Sequence, residues 1–229
     1  MQYDYYYNNV PGAGLCRNNL IYTSLISQDK KVFVQWYHND TEYHRRQNQI
    51  IDPDLMEEKW AREVRYLTHM NRYDPDMIPE ILDIDTVNKK IYLSIDGVDF
   101  WQRSLDGACE YDQIVPDWQD QMLAIIQKHK RLGLYKYSMH PSSYFIVGGK
   151  LKSINYFFTY SIDEPAITVN SFLSHVSENR RIELKRCSDQ LGIDWATTTS
   201  LSKIQQLCWE TFRKDYPNTF IDQALKIYV

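Results

Sequence analysis

The rhythm of apolar and polar positions changes several times along the chain. Leu20 to Ile26 (LIYTSLI) is a run of apolar and β-branched residues, Ser27-Gln28-Asp29-Lys30 is polar, and Lys31 to Tyr37 (KVFVQWY) is apolar again. Two such runs about a short polar turn predict a β-hairpin. His38 to Asp54 is polar and reads as an exposed loop. From Asp54 to Met70, Leu55, Trp60, Val64 and Leu67 recur close to a 3.6-residue period. That spacing predicts an amphipathic helix with Glu57, Glu58, Lys59 and Arg62 mostly on its outer side. Asp52 or Asp54 is placed to cap it, with Pro53 near its start. Met77 to Asp85 and Ile91 to Ile95 then read as strands around the polar turn Asn88-Lys89-Lys90.

From Asp96 the pattern turns helical. Asp117 to Arg131 is a helix with Met122, Leu123, Ile125 and Ile126 as its buried face. Tyr144 to Val147, Gly148-Gly149 and Leu151 to Asn155 form a second hairpin, with a turn of the kind glycine favours. Helices follow at Glu178 to Leu191, Ser200 to Lys214 and Thr219 to Lys226. The pattern is α+β. Residues 1–95 are expected to form a small antiparallel sheet with one helix, and residues 96–229 a mostly helical part. No internal repeat or low-complexity segment interrupts it.

Composition narrows the function classes. Hydrophobic residues make up 43% and charged residues 24%, ordinary for a globular chain. The net charge of -4 argues against a protein built to coat nucleic acid. No apolar run reaches the roughly 18 residues that cross a bilayer, so no membrane span is expected. The start MQYDYYYNNV lacks a signal-peptide pattern, and a cytoplasmic protein is the expectation. Cys16, Cys109, Cys187 and Cys208 are far apart and read as buried thiols in a reducing compartment. Glycine is scarce at 8 residues while tyrosine reaches 18, which disfavours a fold rich in glycine-lined phosphate loops. Abundant Tyr, Asn, Ile and Lys would suit an AT-rich genome such as a bacteriophage's.

The densest local pattern is Gly133-Leu134-Tyr135-Lys136-Tyr137-Ser138-Met139-His140-Pro141-Ser142-Ser143-Tyr144-Phe145-Ile146-Val147. It follows a long helix and precedes a hairpin. Gly133, Leu134, Tyr135, His140 and Pro141 keep a frame that resembles the protein-kinase-like fold, and especially bacterial phosphotransferases acting on lipopolysaccharide sugars and aminoglycosides. The resemblance is best over Lys31 to Tyr156. It implies two lobes, with the sheet and the helix bearing Glu63 in the first and a shortened helical second lobe. In this register Ser138 replaces the catalytic aspartate, Ser143 the metal-binding asparagine, Asn155-Tyr156-Phe157 the Asp-Phe-Gly, and Gln35 the phosphate lysine. Only Glu63 matches, as the helix glutamate that would hold that lysine.

These losses act in one direction. A serine hydroxyl is no useful base near neutral pH. Mg²⁺ prefers charged oxygen ligands, and Gln35 brings no cation. The resemblance therefore implies a pseudokinase: a protein-binding or regulatory module without a cofactor, without Mg·ATP and without catalytic residues. The alternative is an atypical ATP-dependent phosphoryl or nucleotidyl transferase with substituted groups. Bulky Tyr156 and Phe157 are expected to fill part of the cleft.

Other features have simpler readings. Gly12 and Gly14 form a lone Gly-x-Gly, a weak candidate for covering a nucleotide and an ordinary turn otherwise. His38, Asp40, Glu42 and His44 alternate as metal ligands on a strand would, but suit a solvated loop better. His140 reads as a satisfied buried histidine. Arg180, Arg181, Lys185 and Arg186 could touch RNA or phosphates, but Glu178, Glu183 and Asp189 break the charge into a solvated face. Tyr3, Tyr5, Tyr6 and Tyr7 suit a partner surface or an edge strand. Glu183 and Asp163-Glu164 are remote candidates for a substitute base. Gly-x-Ser-x-Gly, His-Glu-x-x-His and the Walker motif are absent.

Overall fold

The computed structural model describes residues 5–7, 22–27, 31–37, 53–95, 111–165, 178–194 and 197–228. The chain groups into two compact units, Met1–Trp118 with Pro141–Phe157, and Gln119–His140 with Phe158–Val229. The class is α+β with small antiparallel sheets. Among the described residues no helix is long and apolar enough to cross a membrane.

The first unit is built on a five-stranded antiparallel sheet: β1 (Tyr5–Tyr7), β2 (Thr23–Ser27), β3 (Val32–Trp36), β4 (Ile81–Asp85) and β5 (Lys90–Ser94), in the order β1-β2-β3-β5-β4. The tyrosine-rich β1 lies at one edge. The β2-β3 hairpin is the one the sequence predicts. Ser27 fastens its turn, its hydroxyl accepting from Val32 N at 2.9 Å. Side chains alternate along a strand, so Phe33, Gln35 and Tyr37 share one face of β3 and its continuation.

Helix α1 (Pro53–Tyr73) begins at the expected proline and runs three residues beyond Met70. Its buried line differs from the expected one. Met56, Lys59, Trp60, Glu63, Tyr66, Leu67 and Met70 are buried, while Val64 is only half-buried. Lys59 was expected outside. It stands one turn before Glu63 and between Met56 and Trp60, so the helical period carries it inward. The strand expected from Met77 is also shorter. Pro75–Met77 forms a 3-10 turn and pairing starts only at Ile81. Pro79, just before it, has no N–H to give a ladder.

The second hairpin, β7 (Tyr144–Val147) and β8 (Lys150–Ser153), belongs to this unit. Gly148 and Gly149 take φ of 56° and 75°, the backbone that a two-residue hairpin turn needs. Phe145 of β7 packs on Phe33 of β3 with ring centroids 4.9 Å apart, which seats the hairpin on the sheet.

The second unit holds most of α3 (Trp118–Arg131), which follows the short α2 (Tyr111–Ile114). It continues with the strand pair β6 (Leu134–Lys136) and β9 (Thr159–Ser161), and with α4 (Glu178–Leu191), α5 (Leu201–Glu210) and α6 (Asn218–Lys226). The β6-β9 pair has no counterpart among the elements the sequence predicts, and α5 stops at Glu210 instead of Lys214. Tyr137, Tyr160, Leu184, Cys187, Ile204, Leu207 and Cys208 form its core. Cys187 and Cys208 are buried free thiols, as expected; Cys16 and Cys109 lie outside the described residues. Trp209 packs against Phe212, Tyr216 and Phe220, tying α5 to α6.

Candidate functional site

Four of the five positions singled out in the sequence meet in the first unit. β3 carries Gln35 and α1 carries Glu63. The base of the second hairpin carries the other two: Ser143 ends the 3-10 turn Pro141–Ser143 before β7, and Asn155 follows β8. Pairing of Tyr144 with Ser153 continues as Ile154 N donates to Ser143 O at 2.9 Å. That continuation brings Ser143 and Asn155 side by side. Asn155 has φ of 66°, a left-handed backbone that asparagine tolerates better than most residues.

Asn155 is the hub. Its Oδ1 accepts from the Tyr22 hydroxyl at 2.7 Å and from Gln35 Nε2 at 3.1 Å. Its Nδ2 donates to Ser143 Oγ at 3.0 Å. Gln35, Ser143, Asn155 and Tyr22 are each at most 2% exposed. An amide oxygen has two lone pairs, and both are engaged by protein donors. Tyr22 is the member that sequence reading missed. No motif marks it, because its hydrogen bond to Asn155 spans 133 residues of chain.

Glu63 lies beside this network and is fully buried. Its Oε2 accepts from Phe157 N at 2.7 Å, so α1 holds the Asn155–Phe157 segment by its backbone. Burial, and after it the Glu63 carboxylate, push the Tyr37 hydroxyl well above the ordinary tyrosine range. Burial likewise pushes Tyr156 up, with a smaller contribution from Glu63. Tyr156 and Phe157 are buried, and Tyr22 sits edge-on to Phe157 at 6.2 Å. On the same helix, burial lowers Lys59 from 10.5 to about 7.

Ser138 belongs to the second unit. It follows β6, and its carbonyl accepts from the buried Lys136 ammonium. The surrounding segment is fixed by the start of α5 and by the turn between α5 and α6. Tyr137 donates to Leu201 O at 3.3 Å, Tyr216 donates to Met139 O at 2.8 Å, and His140 Nε2 stands 3.9 Å from Asp215 Oδ1. His140 is half-buried rather than fully buried as expected, because its ring reaches toward that carboxylate. Behind β6, burial and then the Lys136 charge lower His129 from 6.5 to about 3, keeping it neutral.

The remaining candidates fall elsewhere. Gly12, Gly14, Tyr3, His38, Asp40, Glu42 and His44 lie outside the described residues. No group of three or more metal-suited side chains occurs among the described residues. Arg181, Lys185 and Arg186 are exposed on α4, and Glu183 pairs with Lys214 at 3.3 Å. Asp163 is exposed in the turn after β9.

The donor set decides what this cluster can hold. Mg²⁺ takes near-octahedral oxygen ligands and favours carboxylates and phosphates. Ser143 and Asn155 are neutral, their hydrogen-bonding atoms are turned toward each other, and the Asn155 oxygen is saturated. These residues do not fit Mg²⁺, and Gln35 supplies no charge for a phosphate. Scanning the chain against protein-family models gives no match, and neither does a search of the curated proteins.

Proposed function

We propose that this chain is a kinase-like, two-lobe domain without phosphotransfer activity, serving as a protein-binding or regulatory module. The observation that carries the reading is the neutral hub: Asn155 bonded to Tyr22, Gln35 and Ser143, all of them buried. The order of elements supports it too, with a strand bearing Gln35, a helix bearing Glu63 and a hairpin ending at Asn155. In the resembling frame these positions need a lysine, its glutamate and a metal-binding carboxylate. Here the glutamate is retained but grips the Phe157 backbone. Catalysis at such a centre depends on charges aimed at the phosphates. A neutral network does not provide them, and Ser138 adds no base.

Thermal unfolding with and without Mg·ATP tests the reading, together with a search for label transferred from γ-labelled ATP to protein or small molecules. A nucleotide at about 100 times its Kd adds about 2.7 kcal/mol to stability, a rise of roughly 5 °C or more for a protein of this size. No Mg²⁺-dependent rise and no transferred label are expected. A Mg²⁺-dependent rise of that size, or transfer abolished by Glu63→Ala, overturns the proposal in favour of an atypical transferase.

A further inference from the structure

Six large hydrophobic side chains are exposed among the described residues, and five of them fall into two groups set in charge of opposite sign. Tyr73, Leu82 and Val87 lie in residues 73–87, a stretch that holds Asp74, Asp76, Glu80, Asp83 and Asp85 and neither lysine nor arginine. Ile182 and Leu191 lie on α4 with Arg181, Lys185 and Arg186. A single exposed apolar residue is ordinary. Two groups of them, each bordered by one sign of charge, are the composition of faces that meet a partner.

The acidic face is built on β4, an edge strand of the five-stranded sheet. Its register shifts between Ile81 and Asp83, so Leu82 has no partner on β5, and such a bulge re-aims the side chain. Asp85 is turned inward onto Val87 N and Asn88, whereas Asp76, Glu80 and Asp83 are exposed. The Ile84 N–H donates to the Asp83 carboxylate at 2.8 Å, and charged side chains along an edge deter strand addition. β4 therefore meets a partner through its side chains, which suits a helix better than a further strand.

The basic face is the outer side of α4. Leu184, Cys187 and Ser188 are its buried side. Ile182, Lys185, Arg186 and Asp189 recur at i, i+3, i+4 and i+7 on the opposite side, and all four are exposed. Glu183 gives its charge to Lys214 at 3.3 Å. With Arg181 beside them, Lys185 and Arg186 outweigh Asp189, and Ile182 stands among them 60% exposed.

We propose that α4 of one molecule docks on the acidic edge of a second copy of this chain, Ile182 meeting Leu82 while Lys185 and Arg186 meet the carboxylates of Glu80 and Asp83. A second copy is the fitting occupant because each face carries the charge that the other attracts, together with an exposed apolar group for it to cover. The two faces are different surfaces, so a molecule whose α4 is engaged still offers its own β4. The contact is head-to-tail and builds a ring or a growing chain. One helix against one edge strand falls short of the about 1,200 Å² buried in a stable complex, so the association is weak and depends on charge.

Sedimentation velocity on the full chain tests this, from about 10 to 500 µM in about 50 mM and 500 mM NaCl. The weight-average sedimentation coefficient should climb with concentration at low salt, and high salt should weaken the association about tenfold or more. Lys185→Glu with Arg186→Glu, and separately Glu80→Lys with Asp83→Lys, should each abolish the climb by setting like charges face to face. Mixing the two variants restores opposite charges at every contact and should restore the climb, which a misfolded variant could not do. Ile182→Ser should weaken association about fivefold or more, through loss of a covered aliphatic side chain. A chain that stays monomeric over the whole range at low salt overturns the proposal and gives the two faces to partners of another kind. Association that ignores salt, survives either charge reversal or fails to return on mixing overturns it as well.

Discussion

Replacing Asn155 by alanine should destabilise the first unit by roughly 3–8 kcal/mol. The substitution removes the shared acceptor of two buried donors, the Tyr22 hydroxyl and Gln35 Nε2. A buried donor deprived of its acceptor costs about 1–3 kcal/mol. Ser143 loses its bond to Nδ2 at the same time. The backbone adds to the loss, because φ of 66° costs an ordinary L-residue about 1–2 kcal/mol. The total is comparable to a large part of the 5–15 kcal/mol that holds a typical protein folded. Asn155→Asp should lose less than half as much. It keeps an acceptor for both donors, and their bonds to a carboxylate offset part of the penalty for burying the charge. Guanidinium unfolding followed by tryptophan fluorescence measures the difference, with Trp60 in the unit as a buried reporter. Tyr22→Phe, alone and combined with Asn155→Ala, completes a double-mutant cycle, and the two losses should fall short of additivity by 0.5 kcal/mol or more, on the order expected for bonded neighbours. An Asn155→Ala loss below about 1 kcal/mol at unchanged denaturant slope, or full additivity with Tyr22→Phe, refutes the hub.

Lys59→Met should raise stability at pH 7, and the advantage should shrink as pH climbs toward 10.5. Burial lowers the native amine to about 7, so between 7 and 10.5 the unfolded chain binds a proton the native one refuses, at about 1.4 kcal/mol per pH unit; a gain that is flat with pH contradicts this. His129 acts in the acid range: with its native value lowered to about 3, the unfolded state takes up the extra proton as pH falls below 6.5, so stability is lost from there downward. Urea titrations should show His129→Gln flattening that loss, and an unchanged slope from pH 6 to 4 rejects it. Gly133→Ala should cost about 1–2 kcal/mol, chiefly through its φ of 68°. A new Cβ would come within 2.8 Å of Ile162, but that side chain is mostly exposed and can turn away. Combining it with Ile162→Ala should therefore recover little of the loss by thermal melting, and full recovery would place the cost in the clash instead.

Much of the local structure could be read from the chain, because its causes are short-range. Alternation between Val32 and Trp36, the helical spacing after Pro53 and the glycine pair at 148–149 each act within a few residues. They are enough to give the two hairpins, α1, α3 and α4, whereas Gln35, Glu63, Ser143 and Asn155 come under suspicion only through the resemblance to the kinase-like frame. They fail where distant groups decide. Lys59 looks like one more surface charge in the series Glu57-Glu58-Lys59, yet helix packing buries it. β6 and β9 are three residues each and have no pattern until they pair across 25 residues, Leu134 with Ser161 to Lys136 with Thr159.

What the amino-acid sequence alone determined is most of the elements, and that Gln35, Ser143 and Asn155 bring no ionised group to the place where they meet. What only the tertiary structure decided is which distant groups answer the buried polar atoms. Tyr22 closes on Asn155 across 133 residues, Glu63 reaches the Phe157 backbone across 94, and Gln205 is shut away with neither end of its amide satisfied among the described residues. The reason is physical. Propensity and periodicity describe neighbours along the chain, whereas the satisfaction of a buried polar group depends on which distant atoms folding brings within 3 Å of it.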